Sequence, residues 1–159
     1  LARYSGMRYG AEEELSGDFN QYFSKVRSKH LGEEAKRRII LGTYSRMAGF
    51  RDQFYLKALK ARTLVIREFK KAFRTCDLLA SPSMPVVAPR FKEIESMTAL
   101  QQYMMDILTV APNLAGIPHI SVPCGTSRGM PVGLCLMADH LQEQTILNAA
   151  SAYEKSSGT

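Results

Sequence analysis

Residues 109–134 read TVAPNLAGIPHISVPCGTSRGMPVGL, and this stretch decides how the chain folds. Two runs in and beside it, residues 119–123 and 132–137, are short, mostly apolar and bounded by proline and glycine, a composition that favours strands. Residues 125–129, between the two runs, begin and end with glycine, which is typical of a loop that reverses direction. The pattern therefore predicts two strands joined by a reversing loop.

Helical periodicity dominates the chain before this stretch. Asp18 lies where it can cap a helix that ends at Gly32, and the acidic residues that follow begin a second helix that ends before Gly49. Apolar residues then recur at helical spacing over residues 51–74, with basic residues largely on the other side. The spacing predicts three helices, and the third is one long amphipathic helix.

The composition changes after residue 76. A short apolar strand leads into residues 81–89, where the density of proline excludes helix and permits an extended loop. Helical spacing returns over residues 98–108, and a closing helix is predicted over residues 142–155. The apolar side of that closing helix is formed by Ile146, Leu147 and Ala150.

The order of these elements predicts an α/β fold in which helices are layered on a mixed β-sheet. The chain is expected to form part of a single domain. Its parts are a mainly helical region (11–75), a region rich in strands and loops (76–139) and the closing helix (142–155).

The amino-acid composition limits the classes of protein to which the chain can belong. The 159 residues are 45% hydrophobic, which is enough for one sizeable core, and no run approaches the ~20 apolar residues of a membrane-spanning helix. Cys76, Cys124 and Cys135 form neither a disulfide framework nor a C-x-x-C motif, so a reducing cytoplasm is the expected compartment. The first residues show no secretory signal, and Leu1 is interpreted as a cut point.

The net charge of +6 is unevenly distributed. Residues 1–74 hold 17 Lys and Arg against 8 Asp and Glu, a balance of +9, whereas residues 75–159 hold 4 against 7, a balance of −3. The basic face of the third helix is a candidate surface for RNA phosphates, but it lacks interleaved aromatic residues and matches an ordinary solvated helix. Solubility is the favoured interpretation, and RNA binding stays open.

Two patterns that suggest catalysis or metal binding fail on their context. Residues 125–129 match G-x-S-x-G, the nucleophile elbow of serine hydrolases, but an elbow is followed by a helix and here a strand-like run follows. The downstream Asp139 and His140 are adjacent, and neighbours in an extended chain do not both converge on one serine. His30, His119 and His140 have no carboxylate or thiol nearby at the sequence spacing of metal ligands, so no metal site is predicted.

The succession N-x-A-G-x-P, I-S-V-P and G-x-P-x-G-L within residues 113–134 resembles the C-terminal hallmark of amidase-signature enzymes. Within that family, the likeness is to the glutaminase (A) subunits of glutamyl-tRNA(Gln) amidotransferases. The segments that carry this narrower likeness are residues 8–10, 36–44 and 60–64. The resemblance implies that the chain is the C-terminal part of a single amidase domain.

The resemblance also implies an activity. Enzymes of this family use a serine nucleophile activated through a second serine and a lysine, all upstream of the region that this chain resembles, so no catalytic residue is expected here. The whole enzyme is expected to hydrolyse glutamine and to supply ammonia for converting Glu-tRNA(Gln) to Gln-tRNA(Gln). The expected partners are the B and C subunits, glutamine and the misacylated tRNA. ATP and Mg are expected in a partner subunit, with no cofactor in this chain.

Arg38 and Asp106 are the substrate-binding residues that the resemblance implies. A site that selects free glutamine needs a cation for the α-carboxylate and an anion for the α-ammonium, and these roles fall to Arg38 and Asp106 respectively. From the residues alone, Arg38 fits a solvated helix surface. Asp106 is the only charge between Leu100 and Ala111, and an acid in apolar surroundings needs a partner. Capping of local backbone by Asp106 is the alternative.

Two other functions stay open. A general amidase of the same family, acting on another carboxamide, has no need of both Arg38 and Asp106. A non-catalytic assembly or RNA-binding module is expected to bind tRNA strongly, with a steep dependence on salt.

Overall fold

The computed structural model describes residues 3–158, which form seven α-helices, one π-helical segment and three strands. The helices are α1 (Phe19–His30), α2 (Glu33–Arg46), α3 (Lys57–Ala72), α4 (Phe91–Ser96), α5 (Ala99–Met104), α6 (Ile107–Ala115) and α7 (Glu143–Ser157). The strands are β1 (Leu79–Pro82), β2 (His119–Ser127) and β3 (Met130–Met137). The chain forms two compact units, one up to Leu59 and one from Lys60 onward.

In the first unit, an irregular N-terminal segment packs on α1. Asp18 caps α1 by accepting a hydrogen bond from a backbone amide three residues on, at 2.8 Å, as predicted. Tyr22 and Val26 are buried, and the Tyr22 hydroxyl donates to the carbonyl oxygen of Gly6 at 2.8 Å. Gly6 has φ 79°, and a Cβ there would lie 2.9 Å from a methyl carbon of Val26. This contact therefore requires glycine.

The prediction of one uninterrupted helix over residues 51–74 is wrong at its start, where Arg51–Leu56 is π-helical and leads into α3. The ring of Phe50 lies 4.5 Å from that of Tyr44 and 6.1 Å from that of Phe54, measured between centroids. A six-residue segment is too short for its wider winding to change the spacing of apolar residues visibly. Periodicity alone therefore cannot distinguish it from α-helix.

In the second unit, a three-stranded antiparallel sheet has the order β1-β3-β2. Met137 of β3 pairs with Leu79 of β1 and with His119 of β2. The predicted reversal between β2 and β3 is confirmed, but its turn is shorter than expected and consists of Arg128 and Gly129, with φ 52° and 77°. Positive φ at both residues suits the twist of a tight hairpin, and a strand follows it rather than a helix. The hydrolase elbow is therefore not formed.

Helices cover both faces of this sheet, which confirms the α/β class. On one face, Leu136 of β3 packs in a buried cluster with Ile146 of α7. On the other face, Cys135 and Met137 pack against α3 and the segment that ends α6. Alternate residues of β3 thus serve opposite layers. Leu147, which was expected to point inward, is 53% exposed.

Within residues 3–158 the strands pair only antiparallel, whereas a mixed sheet was expected. The tight turn between β2 and β3 explains part of this difference, because a two-residue loop can join only antiparallel neighbours. Among the same described residues, no helix combines the length and apolar character that crossing a membrane requires.

The helix predicted over residues 98–108 is two helices. Thr98 starts α5 through a capping box with Gln101, and the chain turns again around Asp106 before α6. α6 runs beyond the predicted end and contains Pro112. Gly116, with φ 74°, ends it in the left-handed conformation. α4, which precedes α5, was not predicted.

Candidate active site

Arg38, the predicted carboxylate-binding residue, lies on α2 in the first unit. Its side chain is 59% exposed, and its Nε donates to an oxygen of Glu34 at 2.8 Å, one helical turn away. Arg37 pairs with the other oxygen of the same carboxylate at 2.6 Å. Exposed pairs at this spacing stabilise a helix by only about 0.3–0.5 kcal/mol. This ion pair with Glu34 is therefore weak.

Asp106, the predicted ammonium-binding residue, lies at the N-terminus of α6 in the second unit. Its backbone carbonyl oxygen accepts hydrogen bonds from the amides of Thr109 and Val110 at 3.0 and 3.2 Å. Its carboxylate makes no capping hydrogen bond, so the alternative of local capping is not observed. Asp106 is exposed in this chain, and the partner expected for its carboxylate is still a prediction. That Arg38 and Asp106 face one pocket stays a prediction.

Two cavities share Met105, the residue that precedes Asp106 in the chain. Met105 lines a cavity of about 520 Å³ together with the proline-rich segment 83–89 and the β3 residues Pro131 and Gly133. Met105 also lines a groove of about 460 Å³ with Ile107 and the first helical turns of α5. Asp106 itself is not among the residues that line either cavity.

A pair of serine hydroxyls fixes the segment 83–89 to the sheet. The amide of Ser83 donates to the carbonyl oxygen of Gly133 at 2.8 Å, and the hydroxyls of Ser83 and Ser121 lie 2.5 Å apart. A Cβ at Gly133 would lie 2.5 Å from the Ser121 hydroxyl and 2.7 Å from that of Ser83. The serines meet only because residue 133 has no side chain. Sequence reasoning missed this arrangement, although a glycine inside a strand signals close approach of other groups.

Asp139 and His140, which do not form a triad, take part in a polar chain. One oxygen of Asp139 accepts from Lys70 Nζ at 2.7 Å and from the His140 amide at 2.8 Å. These hydrogen bonds, the one from Lys70 foremost, lower the pKa of Asp139 to about 2. The Nε2 atom of His140 lies 3.0 Å from the carbonyl oxygen of Ala115. Lys70, on the basic face of α3 that was expected to be solvated, thus binds a protein side chain.

His30 and His119 also contact protein atoms. In the first unit, Glu13 binds Lys29 Nζ at 2.6 Å and His30 Nε2 at 2.7 Å, and these bonds lower the pKa of Glu13 to about 2. His119 Nδ1 lies 3.3 Å from the carbonyl oxygen of Ile117. Within residues 3–158, no three His, Cys, Asp or Glu side chains are grouped so that they could hold a metal ion.

A family model for amidases matches residues 1–147. This chain belongs to the amidase family. The match takes in α6, the hairpin and both residues predicted to bind substrate, which confirms the resemblance found in residues 113–134.

Proteins similar to this amidase-family chain include A subunits of glutamyl-tRNA(Gln) amidotransferases. The chain is 50% identical over 148 residues to the glutamyl-tRNA(Gln) amidotransferase A subunit of Archaeoglobus fulgidus, covering 93% of this chain and 32% of that protein. It is 46% identical over 155 residues to the corresponding A subunit of Caldanaerobacter subterraneus subsp. tengcongensis, covering 98% and 32%. The amidase-family chain thus spans about a third of the length of these relatives.

Solved structures agree with this placement. The crystal structure of the glutamyl-tRNA(Gln) amidotransferase A subunit from Thermotoga maritima is 35% identical with a TM-score of 0.65, over 87% of this amidase-family chain and 30% of that one. A crystal structure of an amidase at 22% identity has a TM-score of 0.68, over 86% of this chain and 32% of that one, and shows the shared fold.

Proposed function

We propose that this chain is the C-terminal portion of the glutaminase subunit of an aminoacyl-tRNA amidotransferase that converts Glu-tRNA(Gln) to Gln-tRNA(Gln) in the cytoplasm. The observation that carries the proposal is the identity of 50% over 93% of the chain to a glutamyl-tRNA(Gln) amidotransferase A subunit. In the proposed complex, the B and C subunits are the partners. One of these partners supplies the sites for ATP, Mg and the acceptor end of the tRNA.

In the proposed enzyme, this chain holds the amino-acid end of glutamine. Arg38 binds the α-carboxylate through two parallel hydrogen bonds, and Asp106 binds the α-ammonium.

The reaction then proceeds at a serine that lies on polypeptide outside these 159 residues. Its oxygen bonds to the amide carbon, the C–N bond breaks, and the nitrogen leaves as ammonia with the serine proton. Water then hydrolyses the glutamyl ester to glutamate and restores the serine. The ammonia passes to the partner subunit, where ATP activates the tRNA-bound glutamate. We expect this chain alone to have no glutaminase activity, so turnover by the purified chain would contradict the assignment.

The role of Arg38 is tested in the complete glutaminase subunit together with its partners. Arg38→Ala removes a charge-assisted interaction of about 1.5–3 kcal/mol, which corresponds to a rise of about 10- to 150-fold in the glutamine KM. The kcat is expected to change little, because the contact is present in both the ground state and the transition state.

Arg37→Ala is the matched control, since Arg37 shares Glu34 with Arg38 and precedes it in the same helix. Its KM is expected to stay near that of the wild type. An unchanged KM in Arg38→Ala would count against the proposal. Equal losses for glutamine and for a simple carboxamide would favour a general amidase instead.

A further inference from the structure

The C-terminal end of α6 is bound by side chains from two distant parts of the second unit. Arg62 of α3 donates through Nε to the carbonyl oxygen of Leu114 at 2.6 Å. His140, which follows β3, places Nε2 3.0 Å from the carbonyl oxygen of Ala115. Both carbonyls belong to the last turn of α6, where helical backbone lacks its own donors and carries partial negative charge. The two side chains satisfy groups that the helix cannot satisfy itself.

His140 is oriented for this contact by a second set of bonds. A carbonyl oxygen only accepts, so Nε2 must carry the proton that it donates to Ala115. The other ring nitrogen lies 3.2 Å from an oxygen of Asp139. The same oxygen accepts hydrogen bonds from the His140 amide and from Lys70 of α3. α3 therefore holds the end of α6 directly through Arg62 and indirectly through Lys70, Asp139 and His140.

Within this chain, few residues of α6 other than those near its anchored end are buried. The helix has nine residues, of which only Pro112 and Ala115 are buried, and helices this short are marginal by themselves. Pro112 has no amide hydrogen, which removes one hydrogen bond from the helix interior. Ile107 and Val110 are 47% and 45% exposed. The anchored end therefore sets the direction of the helix.

We infer that Arg62 and His140 are positioning residues that fix α6 and thereby place the Asp106 carboxylate for the ammonium group of the substrate. Asp106 begins the helix whose other end they bind, about 13 Å away at 1.5 Å per residue. The inference rests on the proposed function, in which Asp106 binds the α-ammonium of glutamine.

The experiment measures glutamine kinetics in the complete subunit with its partners. Arg62→Ala and His140→Ala are each expected to raise the glutamine KM by about 3- to 10-fold, the equivalent of one hydrogen bond, with kcat within about twofold. His140→Gln is expected to recover most of the loss, because its amide nitrogen can replace Nε2 as the donor to Ala115. Lys60→Ala, an exposed change on α3, is the control and should leave KM unchanged.

A double-mutant cycle separates positioning from a general loss of structure. In an Asp106→Ala background, Arg62→Ala is expected to add no further rise in KM, since the group that it positions is gone. A rise that persists in that background, or an equal loss of kcat, would overturn the inference. A normal KM in both Arg62→Ala and His140→Ala, together with a raised KM in Asp106→Ala, would also overturn the inference. A normal KM in Asp106→Ala itself would overturn both the inference and the proposed role of Asp106.

Discussion

Replacing Gly133 by alanine tests the contact that joins β2, β3 and the segment after β1. Gly133 lies in β3, between the serine of the segment after β1 and the serine of β2. An added methyl group would lie 2.5 Å from the hydroxyl oxygen of Ser121 and 2.7 Å from that of Ser83. Both distances are far below van der Waals contact, so at least one serine must move and the 2.5 Å bond between the hydroxyls must break.

The change in the free energy of unfolding caused by Gly133→Ala results from two opposing effects. Overpacking of a fitted site costs about 1–3 kcal/mol, and loss of the serine pair contributes within that range. Alanine also lowers the conformational entropy of the unfolded chain, which stabilises the folded chain by about 0.4–1 kcal/mol. We therefore expect Gly133→Ala to lower the free energy of unfolding by about 1–2 kcal/mol, or to lower Tm by about 2–8 °C.

Urea denaturation of the chain, followed by circular dichroism, measures the change. The control background is Ser83→Ala with Ser121→Ala, which removes both hydroxyls and leaves the Ser83 Cβ position, at 3.1 Å, as the nearest atom. In that background Gly133→Ala is expected to cost about 1 kcal/mol less than in the wild type. Equal costs in the two backgrounds, or no cost in the wild type, would refute the steric argument.

Three further changes test other parts of the chain. Ile146→Ala is expected to cost about 2–5 kcal/mol because Ile146 is 3% exposed in the core, whereas the exposed neighbour Leu147 should tolerate alanine, as urea denaturation will show. The pKa of Asp139 is lowered from 3.8 to about 2 in the folded chain, so its contribution to stability is present above about pH 4 and is lost as the pH falls toward 2. Asp139→Asn should therefore flatten the decline of the free energy of unfolding between pH 4 and 2. Glu13→Gln should speed amide hydrogen exchange over residues 3–17, whereas Glu12→Gln, at an exposed neighbour, should not.

Local chemistry made parts of the fold predictable. Asp18 marks the start of α1 because an aspartate before an apolar periodic run can accept a backbone hydrogen bond. Likewise, the apolar runs of β2 and β3 could be recognised from their composition. The π-helical segment could not, since six residues are too few for its wider winding to alter the spacing of apolar residues visibly. The sequence also did not predict that α6 continues past Pro112.

The candidate site was less accessible to sequence reasoning. Arg38 and Asp106 were identified through a family likeness, because a single arginine or aspartate on a helix has no periodicity that distinguishes binding from solvation. Ser83 and Ser121 are 38 residues apart, and only the folded sheet brings their hydroxyls together. His140 and Ala115 are 25 residues apart, and their contact likewise depends on tertiary structure.

The positions of proline in the sheet bear on how the chain behaves in concentrated solution. β1 and β2 form the two margins of the described sheet, and each contains a proline, Pro82 and Pro123. A residue without an amide hydrogen cannot complete a ladder with an incoming strand. Both margins therefore resist the strand-by-strand growth that leads to fibrils, and we expect substitution of Pro82 or Pro123 by a β-branched residue to make the chain more prone to aggregate.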